Sequence, residues 1–141
     1  MSINTVQDKI IEEMSQMDDW MDRYAYLIEQ ARNLPDDNHE IRKDENAVSG
    51  CQSQVWVEAE LKNDRLHFRA DSDTTLTKGI IALILKVVDG QSPDEILNSD
   101  LYVFRETGLE SNLSPARADG LAAILREMRM IAEGYRKNIQ E

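Results

Sequence analysis

Cys51, the only cysteine in a chain of 141 residues, is the side chain whose chemistry stands apart from everything around it. A thiolate is a strong nucleophile, but a thiol with a pKa of about 8.5 is only a few per cent ionised at neutral pH. A working cysteine therefore needs a cation, amide donors or a partner protein close by. Residue type alone leaves two readings open, a small buried apolar group or a nucleophile. Residue type weighs toward the first, and the neighbours shift that weight toward the second. Gly50 lets the backbone turn sharply just before the sulfur, and Gln52 and Ser53 set polar side chains and backbone amides beside it. Arg117, in the first turn of what reads as the last helix, is a candidate cation for the thiol and equally a capping or pairing residue.

Other chemistries find little support. There is no Gly-x-Ser-x-Gly elbow, no Gly-x-x-x-x-Gly-Lys-Ser/Thr loop and no Gly-x-Gly-x-x-Gly turn, so serine hydrolysis and nucleotide cradling lack their motifs. His39 falls in a polar stretch and His67 on the outward phase of an expected strand, without the His-Glu-x-x-His spacing of a zinc site. Asp36-Asp37 and Asp71-x-Asp73 read as loop and cap residues rather than an acid/base dyad. Met14, Met17 and Met21 read as adaptable packing, since no histidine or cysteine accompanies them. One thiol per chain excludes an internal disulfide framework and any multi-thiolate metal cage, and it fits a reducing compartment.

Sixteen basic against 27 acidic residues give a net charge of −11, a repelling field for nucleic acid. The acidity sits in the first two thirds, and residues 101–141 carry six charges of each sign. The longest apolar run, 79–88, contains Lys86 and falls far short of the roughly 20 residues a membrane span requires. With no basic, apolar leader at the start, a cytoplasmic protein without membrane or nucleic-acid partners is expected, folded as one domain over residues 1–141.

The elements that must position Cys51 follow from periodicity. Thr5 with Asp8 reads as a capping pair for a first helix carrying Val6, Ile10, Met14 and Met17. A second stripe, Met21, Tyr24, Leu27, Ile28 and Ala31, ends at Asn33-Leu34-Pro35. Residues 35–46 are polar and aperiodic, an exposed connection. The period then becomes two: Val55, Val57, Ala59 and Leu61, a turn near Asn63-Asp64, then Leu66, Phe68 and Ala70 predict a hairpin with one buried face. Counting back along that phase places Ser53 and Cys51 toward the same face.

Caps among residues 71–75 lead into an apolar, central helix that stops at Gly90. Ser92-Pro93 opens a short helix, and residues 99–107 predict another. Ser114-Pro115 opens a long last helix along Leu121, Ile124, Leu125, Met128, Ile131, Ala132 and Tyr135, interrupted by Gly134. Its basic residues Arg126, Arg129, Arg136 and Lys137 read as solvated. The fold class is α+β, a small antiparallel sheet packed on one side by helices.

The segment Gly50-Cys51-Gln52-Ser53-Gln54-Val55-Trp56 resembles the active-site segment of the SufE-like sulfur-acceptor proteins of iron–sulfur cluster metabolism. Asp18-Asp19-Trp20 with Arg23-Tyr24 resembles the family's N-terminal segment, and Ala70-Asp71-Ser72-Asp73 followed by Lys78-Gly79 its strand-to-helix junction. Gly108-Leu109, Leu113-Ser114-Pro115-x-Arg117 and Gly120-Leu121 resemble its last motif, with Asp119 as a departure from the expected asparagine. Order and spacing agree over nearly the whole chain.

The resemblance implies a SufE/IscU-like two-layer fold and a sulfur shuttle. A cysteine desulfurase would form a persulfide with its own pyridoxal phosphate, and Cys51 would accept the outer sulfur and deliver it to an iron–sulfur cluster scaffold complex. The chain itself would need no cofactor and no metal, and its site would be completed by the partner, making it a covalent sulfur-transfer partner rather than an independent enzyme. Gly50, Gln52, Ser53 and Arg117 would position the thiol. Two other readings remain at this point: a scaffold that assembles a cluster itself, which one cysteine per chain disfavours, and a noncatalytic interaction module in which Cys51 simply packs.

Overall fold

Helix caps and apolar stripes account for the first layer of the computed structural model, which describes residues 2–34 and 38–140. Helix α1 (Ile3–Ser15) opens on Ser2, whose hydroxyl accepts from the Thr5 amide at 3.1 Å, so the cap lies three residues ahead of the expected Thr5. The earlier start adds Ile3 to a buried face that runs through Gln7, Ile10 and Met14. Helix α2 (Trp20–Gln30) is capped by Asp19, and its expected stripe divides: Leu27 is buried and Tyr24 half-buried, while Met21 and Ile28 remain 75% and 47% exposed. The face turned inward runs through Trp20, Arg23, Leu27 and Gln30 because α2 meets the next long helix at Leu27. The Pro35 stop and the Asp36-Asp37 pair lie outside the described residues.

Strands β1 (Val55–Lys62) and β2 (Arg65–Ser72) form the expected hairpin, with Val57 opposite Ala70 and Ala59 opposite Phe68. Asn63 and Asp64 both take left-handed backbone, φ 55° and 62°, the two-residue turn whose twist matches that of antiparallel strands. Helix α3 (Thr75–Val88) is central, burying Ile80, Ile81, Leu83, Ile84, Val87 and Val88 between the hairpin and the N-terminal helices. Gly79 is required at its crossing with α2, since a β-carbon there would stand 2.7 Å from the carbonyl carbon of Leu27 and closer still to its oxygen.

Ser92 caps α4 (Pro93–Asn98) and bonds Glu95 in a capping box. The helix expected over 99–107 shrinks to α5 (Val103–Glu106). Gly108 at φ +77° then separates it from a further turn, α6 (Leu109–Asn112). Helix α7 (Pro115–Gln140) runs along α4 and β1, where the Tyr135 hydroxyl donates to the Ala59 carbonyl at 2.9 Å. The result is an α+β arrangement of a two-stranded antiparallel sheet, helices and a long C-terminal helix. Among the described residues, no helix is long and apolar enough to cross a membrane.

Two expectations fail together. The segment after residue 37 is not simply exposed: it forms short 3-10 turns, Asn38–Ile41 and Asp44–Asn46, and buries Ile41. Asp71 is not a cap. It lies in β2, 3% exposed, where it accepts from Arg42 Nε at 2.8 Å and faces Lys78 Nζ at 3.8 Å. The Arg42 guanidinium also lies 4.7 Å over the Trp56 ring. A carboxylate this deeply buried needs such partners, and they fasten the polar segment to the sheet.

Candidate functional site

The hairpin does not begin at its first strand residue. The Val48 amide donates to the Val55 carbonyl at 2.9 Å and Ala47 pairs with Trp56, so residues 49–54 form a loop closed at its base by backbone bonds. Gly50, at φ +91°, turns the chain where a side chain would be strained, and Cys51 follows at the tip. The alternation of the strand carries past its end: Cys51 and Ser53 are half-buried, Gln52 and Gln54 exposed.

The C-terminal arm of the loop is pinned to the junction between β2 and α3. Ser72 Oγ donates to the Gln54 carbonyl at 2.7 Å, and the Gln54 amide donates to Asp73 Oδ1 at 3.1 Å. Ser53 Oγ joins Thr74 and Thr77 in a triangle of hydroxyls with edges of 3.2, 2.7 and 3.4 Å. Ser53 thus holds the loop rather than the sulfur. The Gln52 side chain is exposed at the rim of the hollows beside the cysteine.

On its other side the loop lies across α7. Cys51 Sγ donates to the Gly120 carbonyl at 3.6 Å, and a β-carbon on Gly50 would lie 3.4 Å from that of Ala123. Gly120 and Ala123 leave the helix surface low enough for the loop to approach. The start of α7 is braced from the N-terminal half: Tyr24 donates to the Asn112 carbonyl at 2.6 Å, and Arg23, which lies over Trp20, donates to the Thr107 carbonyl at 3.0 Å. The four sequence segments singled out around Cys51 therefore converge on one place, two of them touching the loop or the sulfur and one steadying the helix beneath.

A cavity of about 300 Å³ opens beside the sulfur, lined among others by Ser53, Thr77, Ile80, Arg117 and Leu121. A second hollow, between the Cys51 loop and the segment of Arg42, Asp44 and Val48, is lined also by Gln52 and Trp56. Cys51 stands between a sheltered space and the surface. Burial pushes its thiol up from the ordinary range, and a positive charge, Arg126, pulls the other way. The bond to Gly120 favours the same neutral state, because only S–H can donate to a carbonyl. At rest the cysteine is a retracted thiol rather than a preformed thiolate.

Arg117 lines the cavity, but the cation acting on the thiol is Arg126, which the sequence suggests is merely solvated. The available signal is spacing: Gly120, Ala123 and Arg126 recur every third residue, so a cysteine seated on Gly120 has Arg126 on the same face of the helix. Among the described residues no group of three or more His, Cys, Asp or Glu side chains is arranged to hold a metal ion.

Comparison with known proteins shows the family and the fold. The family model SufE, described as an Fe-S metabolism associated domain, matches residues 8–132. An uncharacterized SufE-like protein of Rhizobium meliloti is 38% identical over 135 residues, covering 92% of this chain and 96% of its own. Another from Rhizobium etli is 37% identical over 127 residues, 86% of each chain. The solution structure of a hypothetical protein from Thermus thermophilus superimposes with a TM-score of 0.76 over 96% of this chain and 97% of its own, at 21% identity, a likeness of fold.

Proposed function

Because the chain belongs to the SufE family of Fe-S metabolism associated domains, we propose that it is a sulfur acceptor and activator for a cysteine desulfurase, carrying sulfane sulfur as a persulfide on Cys51. The observation that supports this most is the placement of the only thiol at the tip of a closed loop, retracted over Gly120 beside a small cavity. A carrier has to meet two opposed demands, shelter for a reducible cargo and access for a large partner. A half-buried sulfur on a glycine-hinged loop answers both, and the docked desulfurase would draw the loop out of its pocket.

The exchange balances without any further reagent. Cys51 loses its proton and attacks the outer sulfur of the donor persulfide. The donor's S–S bond breaks as the new one forms, and the donor sulfur leaves as a thiolate that takes up a proton. One sulfur atom changes hands at constant total oxidation state. The same exchange, run toward a thiol of an iron–sulfur cluster scaffold complex, unloads the carrier. Pyridoxal phosphate belongs to the desulfurase in this scheme.

Intact mass spectrometry without reductant tests it. Incubation with a competent desulfurase and cysteine is expected to add one sulfur to the native chain, removable by dithiothreitol, and to add none to Cys51→Ser, which should also lose stimulation of desulfurase turnover. Absence of the mass gain, or equal stimulation by both proteins, would leave Cys51 a packing residue and the chain a noncatalytic module.

A further inference from the structure

The sulfur carried in the proposed exchange is an anion at two moments, as the attacking thiolate and as the loaded persulfide, which is a stronger acid than the thiol it is built on. The resting pocket is poorly made for an anion: it is partly desolvated, and the α7 group that the sulfur bonds is the Gly120 carbonyl oxygen, an acceptor. Some other group has to compensate the charge.

The arginines divide into two groups. Arg23, Arg32, Arg42, Arg65, Arg69, Arg105, Arg129 and Arg136 each use the guanidinium in a hydrogen bond or ion pair. Among the described residues, Arg117 and Arg126 have no such partner, although the chain carries 27 carboxylates, and both stand beside the Cys51 loop. Arg126 is the one that reaches the Gly50 turn. Its Nη2 lies 3.8 Å from where a β-carbon on Gly50 would be, and it shares a helix face with Gly120 and Ala123.

We propose that Arg126 is the positioning residue for the ionised sulfur of Cys51: its uncommitted guanidinium, laid along the Gly50 turn, holds the loop's anionic form against α7. Arg117, at the cavity wall, is the weaker influence. The inference rests on the sulfur-carrier reading for its biological use and not for its physics. The other charged groups around the loop do not compete for the part. From the 3-10 segment Arg42 is committed to Asp71 and Asp44 is of the wrong sign, while Lys78 of α3 also faces Asp71. Asp73, which receives the Gln54 amide, is again of the wrong sign. Desolvation raises the thiol, and the Arg126 charge opposes it and offsets it only in part.

A test on the purified chain compares alkylation of Cys51 by iodoacetamide, which is neutral, with iodoacetate, an anion, across pH 6 to 10 in wild type, Arg126→Gln, Arg126→Lys and Arg117→Gln. Arg126→Gln is expected to move the alkylation midpoint to higher pH, to slow iodoacetamide at pH 7 about threefold, and to lower the iodoacetate-to-iodoacetamide rate ratio further than Arg117→Gln does. Arg126→Lys should restore most of both. A second arm loads each protein with desulfurase and cysteine and times sulfide release by dithiothreitol, expected about threefold faster from Arg126→Gln. Unchanged midpoint and ratio in Arg126→Gln, or equal changes in Arg117→Gln, overturn the assignment. If no chain is loaded while the alkylation differences hold, the carrier reading fails and the role of Arg126 in setting the thiol stands.

Discussion

Helix α7 is one continuous element with two different occupations. Its first half presents Gly120 and Ala123 to the Cys51 loop and carries two arginines without partners among the described residues. Its second half buries Met128 and Ala132, sends the Tyr135 hydroxyl to the Ala59 carbonyl, and engages Arg129 with the Ser99 carbonyl and Arg136 with Asp94. The second half is satisfied by the fold. The first half keeps small surfaces and free charge in reserve, which a structural helix would not need. Both halves pack, the first burying Leu121 and Ile124, so the difference lies in pairing: where the arginines are engaged the helix is tied to its neighbours, and where they are not it faces the thiol.

The largest effect that tests this division comes from the anchored half. Met128 is fully buried, so Met128→Ala should lower unfolding free energy by about 2–5 kcal/mol through lost burial and a residual cavity, measured by urea unfolding. The fraction still folded should take up sulfur as wild type does. Cys51→Ser should do the reverse, leaving stability within about 1 kcal/mol while abolishing uptake. Loss of uptake in well-folded Met128→Ala would show that the two halves are not separable.

How far the chain can be read in advance follows the same boundary. Periodicity exposes what packing dictates: the hairpin phase, the apolar α3, the long run from Pro115 and the turn at Gly50 all follow from local pattern. What depends on contacts between distant segments does not show. Asp71 reads as a cap because it stands among serine, aspartate and threonine, yet Arg42, 29 residues away, makes it a buried ion-pair partner. Met21 and Ile28 fit an apolar stripe, but Gly79 of α3 draws Leu27 inward and rotates them out. Arg117 stands out over Arg126 in the sequence because it lies in the motif at the helix start. Only the course of the loop over α7 reveals which arginine the thiol meets.

A smaller effect separates the resting thiol from an ordinary one. Burial raises the Cys51 pKa and Arg126 only partly offsets it, so the neutral form persists to higher pH than in an unstructured chain. Below that midpoint the thiolate fraction, and with it the alkylation rate, climbs about tenfold for each pH unit. Iodoacetamide should therefore react several-fold more slowly at pH 7 with the folded chain than with the chain in guanidinium, where the whole titration curve shifts to lower pH. A folded-state midpoint at or below the unfolded one would mean that the pocket is built around a thiolate.

The smallest test makes one substitution in both halves. Gly134 and Gly120 lie inside the same helix, and glycine there costs backbone entropy that alanine does not. A β-carbon at Gly134 meets nothing within 4 Å, so Gly134→Ala should raise stability by about 0.5–1 kcal/mol and leave the thiol untouched. At Gly120 the added methyl arrives 3.8 Å from Cys51 Sγ, an ordinary contact that the fold can accept. Gly120→Ala should thus gain a similar increment while covering one side of the sulfur, slowing iodoacetamide at fixed pH by a factor of about two as the thiolate loses solvent. Equal gains in stability with unequal changes in reactivity are expected only if glycine at 120 is kept for the cysteine rather than for the helix. If both variants alkylate like wild type, the low surface at Gly120 is incidental and the contact between α7 and the sulfur has no chemical weight.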